Sequence, residues 1–159
     1  MEINYYNKGD LFGSYIYFIF AKDLIYVGET QKIAFIRWSG HLYGNGTLVK
    51  KIKEFGDPNV DYLSSLNYIS INCFTIRQQF HEIRWKTITQ AVEHSIHKIL
   101  YSSQSQLIEA YYNKYEPSVD HYKIISDTSR TAPSSIPTNE WEFANDYASK
   151  VVSKICSSL

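Results

Sequence analysis

The segment from Tyr15 to Val27 constrains the fold more than any other part of the chain. Tyr15 to Phe20 is an unbroken run of aromatic and β-branched residues, which is typical of a buried strand. Ala21-Lys22-Asp23 supplies polar turn residues, and Leu24 to Val27 has the composition of a second strand. These features predict a short antiparallel hairpin, with Gly28 ending its second strand.

The other elements are predicted from periodicity and turn signals. The apolar residues around Phe35 and Trp38 favour a short helix with Arg37 and His41 on one face, because the two are four residues apart. Further predictions are a helix capped by Thr47 and running towards Phe55, strands over Tyr68 to Ile76 and Phe80 to Lys86, helices over Thr89 to Leu100 and Gln106 to Tyr115, a loop over Ser126 to Thr138, and a last helix from an Asn139 cap to Ile155.

Composition limits the class of protein only broadly. Sixteen basic and sixteen acidic residues cancel, so any nucleic-acid site must be a local patch rather than a global positive field. Aromatic residues make up 16% of the chain, which favours a folded core. Cys73 and Cys156 lack the spacing of a zinc knuckle or a disulfide framework. The polar start, Met1 to Asp10, and the absence of a long apolar run predict a cytoplasmic protein with no membrane partner.

The most informative motifs recur at fixed spacing. Tyr15, in Gly13-Ser14-Tyr15, and Tyr26, in Tyr26-Val27-Gly28, are eleven residues apart, Arg37 follows after eleven more, and His41 comes four later. This series resembles the active-site region of the GIY-YIG endonucleases, with Ser14 where that family usually has an aliphatic residue. The resemblance covers roughly residues 12 to 116.

Each of these residues suits the cutting of a phosphodiester bond. The hairpin would place Tyr15 and Tyr26 side by side, since neighbouring strands lie about 4.8 Å apart. Arg37 offers a forked positive charge for phosphate oxygens, and His41 can exchange a proton near neutral pH. Glu93 could offer a carboxylate to Mg²⁺ or Mn²⁺ from a rigid helix.

The resemblance implies how these groups share the work. It implies that Tyr15 activates water, Tyr26 helps to place the phosphate, and Glu93 holds one divalent ion. A tyrosine has an ordinary pKa of about 10, so this scheme needs its phenolate stabilised by the metal, Arg37 and a protonated His41.

Three alternatives stay open. The family's usual Asn after the glutamate is missing, and Glu109, followed by Pro117, is a rival metal ligand. Glu93 with His94 and His97 could form a helical zinc site, although the spacing is not that of the His-Glu-x-x-His motif. Three lysines, Lys50, Lys51 and Lys53, are either a solvated helix face or contacts for DNA phosphates.

The sequence therefore predicts an α/β (α+β) fold with a small, three-stranded, mainly antiparallel sheet flanked by helices. Residues 1–116 would form the GIY-YIG-like nuclease domain, and residues 117–159 a loop and C-terminal helix extension packed on it or attached to it. The predicted function is a metal-dependent DNA endonuclease, of restriction or defence type, and a homodimer would let it cut both strands. The alternatives are a catalytically inactive nucleic-acid-binding module of the same fold and an aromatic-rich interaction domain.

Overall fold

The computed structural model describes residues 12–102, 106–127 and 133–159, except for the side chain of Glu82. The predictions for Met1 to Asp10 and for residues 128–132 of the loop lie outside the described residues. Within the described ranges the chain is an α+β protein with a four-stranded mixed sheet and six helices.

The elements follow one another along the chain as β1 (Phe12–Ala21), β2 (Leu24–Lys32), α1 (Ala34–Leu42), α2 (Thr47–Phe55), β3 (Leu66–Asn72), α3 (Phe74–Gln79), α4 (Glu82–Tyr101), α5 (Gln106–Tyr115), β4 (Lys123–Ile124) and α6 (Thr138–Ser158). The order in the sheet is β3-β1-β2-β4. β1 pairs antiparallel with β2 and β3, whereas β2 pairs parallel with β4. None of the helices in these ranges is both long and apolar enough to cross a membrane.

The predicted hairpin is present and longer than expected. Ala21 pairs with Leu24, so the turn consists of Lys22 and Asp23 alone, and Lys22 adopts a positive φ of 52°. β1 lies between two other strands and is covered by helices on both faces, which explains why its sequence is continuously apolar rather than alternating. The prediction that Gly28 ends the second strand is wrong, because β2 continues to Lys32.

The two faces of the sheet pack against different helices. Side chains of one parity along β1 and β2, such as Phe18 and Val27, pack with α4, α5 and α6. Those of the other parity, such as Ile19 and Leu24, pack with α1 and α2. We call these the α4 face and the α1 face.

The sequence-based prediction fails between residues 66 and 86. The third strand ends at Asn72, and the residues after Cys73 form α3 instead of continuing the strand to Ile76. Phe80 to Lys86 is not a strand, because α4 already begins at Glu82. Trp85 is buried in the same core as Ile88, Val92 and Ile96 and lies at helical spacing from them. The helix therefore begins earlier in the chain than predicted.

The C-terminal residues join the same core. α6 packs on α4 through Ala144, Ala148 and Val152, and it begins at Thr138 with Pro137 at its N-cap rather than Asn139. The short β4 adds to β2 beside Leu24 and Ile25. Past the end of β4, β2 is hydrogen-bonded by a side chain instead of a strand. The Val27 backbone N–H donates to the Ser126 hydroxyl oxygen (3.1 Å).

Candidate functional site

A cavity of about 280 Å³ lies beside β2, just past the end of β4. Its lining comes from β1, β2, α1, α2, α4 and the segment after β4, and it consists of Tyr17, Tyr26, Val27, Gly28, Glu29, Arg37, Thr47, Lys51, Glu93, Ser126 and Asp127. The cavity therefore brings together four of the residues that the sequence singles out: Tyr26, Arg37, Lys51 and Glu93.

Tyr17 reaches this cavity by crossing over Gly28. The two residues are paired in the β1–β2 register. A Cβ atom on Gly28 would lie 2.4 Å from the Tyr17 hydroxyl oxygen, closer than any real side chain could tolerate. Only a glycine lets the phenol ring lie across β2, so Gly28 is explained by this close approach and not by a strand end.

Tyr15 occupies a different place. It is buried, pairs with Thr30, and is absent from the cavity lining. Its ring lies against Gly13, where a Cβ atom would come within 2.9 Å. The structure thus puts Tyr17 where the motif spacing predicts Tyr15. The two-residue turn is the signal that would have identified Tyr17, because a turn at Lys22 and Asp23 sets Tyr17 opposite Gly28.

The two cavity tyrosines and a histidine form an aromatic cluster. The Tyr17 and Tyr26 rings are stacked with centroids 6.3 Å apart, and the His41 ring lies edge-on to Tyr26 at 5.0 Å. The Tyr17 hydroxyl is 2.7 Å from His41 Nε2. Burial, the nearby Tyr26 and the Glu93 charge raise the pKa of Tyr17 well above its ordinary value, against the opposing effect of Arg37.

α1 presents Arg37 and His41 to this cluster, as their spacing predicts. Arg37 is exposed to solvent and hydrogen-bonds to the Tyr17 hydroxyl, which leaves the phenol proton for His41 Nε2. Burial and the Arg37 charge lower the pKa of His41 to about 4. His41 is therefore neutral near pH 7, and the expectation of a protonated His41 is wrong.

Glu93 enters the cavity from α4, where it is only 5% exposed. Burial and the neighbouring Glu29 raise the pKa of Glu93 to about 8, although Arg37 opposes them. Its Oε2 atom is buried and has no hydrogen-bond partner among the residues that the structure describes. Leaving a buried acceptor unsatisfied costs roughly 1–3 kcal/mol, so this atom is suited to a ligand.

The three candidate lysines differ in their position relative to the cavity. Lys51 lines the cavity, with its ammonium 3.4 Å from Glu54 and 5.0 Å from the centre of the Phe55 ring. Lys50 and Lys53 are exposed and outside the cavity lining. Of the three, the structure brings only Lys51 to the candidate site.

The geometry also separates the rival metal ligands. Glu109 is exposed on α5 and does not line the cavity. His97 has both ring nitrogens engaged, with Nδ1 3.0 Å from the Glu93 carbonyl oxygen and Nε2 2.7 Å from the Ser126 hydroxyl. Its role is to hold the segment after β4 against α4, which argues against the zinc alternative.

The donor set fits a hard divalent cation better than zinc. Within the described ranges, no group of three or more His, Cys, Asp or Glu side chains could enclose a metal. Mg²⁺ is commonly held by one or two carboxylates and completes its shell with water and substrate phosphate. Glu93, with its unsatisfied oxygen, meets that requirement beside the cationic Arg37 and Lys51.

This arrangement can bind an anion, orient a water molecule and accept its proton. Arg37 and Lys51 supply positive charge at the cavity mouth, the Tyr17–His41 pair supplies a path for a proton, and Glu93 supplies a buried carboxylate.

No protein-family model matches the chain, and searches of curated proteins and of solved structures find no match to it either.

Proposed function

We propose that this chain is a metal-dependent endonuclease that hydrolyses DNA phosphodiester bonds in the cavity beside β2. The observation that carries the proposal is the convergence of the Tyr17 hydroxyl, Arg37, Lys51 and the buried Glu93 on one small cavity from four separate elements. The motif resemblance supports it, since Tyr26, Arg37, His41 and Glu93 match the family's positions. In this proposal β1, β2 and β3 form the GIY-YIG-like core sheet, and β4 and α6 are additions to it.

The anion-binding role falls to Arg37 and Lys51. Arg37 is exposed and forked, so it can contact two phosphate oxygens while one nitrogen keeps its bond to Tyr17. Lys51 adds a second positive charge from α2. Both charges would stabilise the extra negative charge of the pentacovalent transition state.

The proton-transfer role falls to Tyr17 together with His41. The raised pKa of Tyr17 means that a free phenolate is not populated at neutral pH, so the phenol must pass its proton to His41 as it takes one from water. Arg37 is the second cause of the low His41 pKa. A phosphate bound to Arg37 would offset that charge and make His41 a better acceptor.

Glu93 would hold the cation. A bound Mg²⁺ or Mn²⁺ would polarise the phosphoryl group and stabilise the leaving oxygen. Cation binding needs the ionised carboxylate, so it would displace the proton that burial favours on Glu93 near neutral pH.

The second candidate is a nucleic-acid-binding module that has lost turnover. The observation in its favour is that Tyr15, the tyrosine at the family's spacing, is buried outside the cavity. Such a module would bind nucleic acid through Arg37 and Lys51 without cutting it.

Two matched tyrosine variants separate the candidates. Tyr17→Phe and Tyr15→Phe each remove one hydroxyl from a buried ring of the same strand. With supercoiled plasmid and Mg²⁺ or Mn²⁺, we expect Tyr17→Phe to lose activity by about 10²-fold or more, because it removes the proton-transfer group. Tyr15→Phe should cleave like wild type.

The opposite pattern, in which Tyr15→Phe loses cleavage and Tyr17→Phe keeps it, would assign proton transfer to Tyr15 and refute its assignment to Tyr17. EDTA must abolish cleavage if a divalent ion takes part. Wild-type protein that binds DNA but cuts neither plasmid, branched DNA nor RNA would favour the binding module.

A further inference from the structure

A second acidic residue faces the candidate site, from the strand rather than the helix. Glu29 follows Gly28 on β2 and has the parity of Ile25 and Val27, so its side chain points to the α4 face. It is partly buried and lines the same cavity as Glu93. Glu29 thus enters the cavity from the sheet while Glu93 enters from α4.

Two glutamine side chains fix Glu29 towards the helix. The Gln31 amide nitrogen donates to Glu29 Oε2 at 2.9 Å, and the Gln90 side chain also hydrogen-bonds to this carboxylate. Gln90 and Glu93 are three residues apart on α4, so they share one helix face. The contact with Gln90 therefore holds the Glu29 carboxylate within one helical turn of Glu93.

The neighbouring Glu93 carboxylate is incompletely satisfied. Glu93 is only 5% exposed, and within the described part of the chain its Oε2 atom has no hydrogen-bond partner. Two carboxylates in contact with one cavity repel each other when both are ionised. The positive charge of Arg37 lies near both carboxylates and offsets part of this repulsion, and Arg37 also hydrogen-bonds to Tyr17.

We propose that Glu29 and Glu93 together form a two-carboxylate site for a hard divalent cation, with Glu29 as its second protein ligand. The proposal rests on the proposed function and deepens it, because the family resemblance implies a single glutamate ligand, Glu93. A cation between the two carboxylates would relieve their repulsion and satisfy the buried Glu93 oxygen. Water and phosphate oxygens would complete its coordination.

The test measures cation binding without any nucleic acid. Mn²⁺ is titrated into the full chain, and free Mn²⁺ is followed by electron paramagnetic resonance. The variants are Glu93→Gln, Glu29→Gln and Glu109→Gln, which each replace a carboxylate by an amide of nearly the same shape. Glu109 is the matched control because it is exposed on α5 outside the cavity.

We expect Glu29→Gln and Glu93→Gln each to weaken Mn²⁺ binding by about tenfold or more, since affinity for hard cations depends on the number of charged ligands. Glu109→Gln should bind as wild type does. Tb³⁺ luminescence lifetimes in H₂O and D₂O count the waters on a bound ion. Loss of the Glu29 ligand should raise that count, a change that a merely structural role would not produce.

Glu29→Asp guards against a folding defect in Glu29→Gln. It keeps the charge with a shorter reach, so its Mn²⁺ affinity should fall between wild type and Glu29→Gln, with circular dichroism unchanged in both. Wild-type affinity and an unchanged water count in Glu29→Gln would overturn the proposal, as would the absence of Mn²⁺ binding by the wild-type protein.

Failure of the two-carboxylate site can be distinguished from failure of the proposed endonuclease function. Binding that needs both glutamates, without cleavage of any nucleic acid, would support the cation site and refute the endonuclease. Metal-dependent cleavage that needs Glu93 and not Glu29, with Mn²⁺ affinity unchanged by Glu29→Gln, would support the endonuclease and refute Glu29 as a ligand.

Discussion

The two faces of the sheet are packed differently, although β1 and β2 supply both. On the α4 face, aliphatic and aromatic side chains form one apolar cluster that runs from the sheet through α4 into α6. The α1 face is a smaller cluster in which Tyr17 and Tyr26 pack beside the buried His41. The α4 face thus supplies most of the stability, and the α1 face carries the Tyr17–His41 pair beside the candidate site.

The two faces meet at the edge of β2 that β4 leaves uncovered. Tyr17 reaches that edge from the α1 face by passing over Gly28, and Glu93 reaches it from α4. At this edge the candidate site therefore draws its proton path from one side of the sheet and its carboxylate from the other. This comparison predicts that changes on the α4 face act on stability and changes at the edge act on the site.

The largest effect on stability is expected in the middle of the α4 face. Ile96→Ala should lower the free energy of unfolding by about 2–5 kcal/mol, because Ile96 is fully buried and truncation leaves a cavity. Urea denaturation measures the loss. Ile83→Ala is the matched control, since Ile83 lies on the same helix and is 82% exposed, and it should change stability by less than about 0.5 kcal/mol.

Between Ile96→Ala and Ile83→Ala we expect a large difference in stability without a difference in Mn²⁺ binding. Below its melting temperature, Ile96→Ala should keep its affinity for Mn²⁺. A large loss of Mn²⁺ binding by folded Ile96→Ala protein would show that the two faces are coupled more closely than their packing indicates.

The second effect is a pH dependence that arises on the α1 face. The pKa of His41 is about 4 in the folded protein and about 6.5 when unfolded. Between these values the unfolded state binds a proton that the folded state does not, so stability should fall as the pH drops from 6.5 to 4. The shift corresponds to about 3 kcal/mol, and His41→Asn should remove this loss.

Glu93, in the cavity lining, gives a pH dependence of stability with the opposite sign. Its pKa is raised from 4.5 to about 8, so its contribution to stability is full below pH 4.5 and is lost as the pH rises through 8. Urea denaturation across this range, on wild type, His41→Asn and Glu93→Gln, separates the two contributions. An unchanged acid dependence in His41→Asn would contradict the burial of a neutral histidine.

The third and smallest effect tests whether the Tyr17 ring passes over Gly28 at the edge of β2. Gly28→Ala would place a methyl group against the Tyr17 hydroxyl, and we expect a loss of about 1–3 kcal/mol together with displacement of the phenol. Gly40→Ala is the control, because no atom of the described residues lies within 4 Å of a Cβ atom there. That substitution within α1 should stabilise the protein by about 0.5–1 kcal/mol.

Tyrosine fluorescence and thermal melting compare the two glycine variants. Equal effects at Gly28 and Gly40 would contradict the close approach of Tyr17. They would also remove the physical reason for preferring Tyr17 to Tyr15 as the cavity tyrosine.

Local patterns were sufficient for most elements. The hairpin, α1, α2 and α5 lie where their residues predict them, because turn signals and apolar spacing act within a few residues of the chain. The prediction of a strand over Phe80 to Lys86 failed. The side chain that decides the matter is Trp85, which joins the helical stripe of α4 and is buried by distant elements.

The sequence by itself determined which residue types are available at the site and the spacing of Tyr26, Arg37, His41 and Glu93. Tertiary structure decided that Tyr17, rather than Tyr15, lies beside Tyr26, Arg37 and His41 and lines the same cavity as Glu93. That choice depends on the register across the turn and on the missing side chain of Gly28 in the neighbouring strand. Burial likewise decided that His41 is neutral and that Glu93 favours its protonated form, since the cost of a buried charge depends on what the fold places around it.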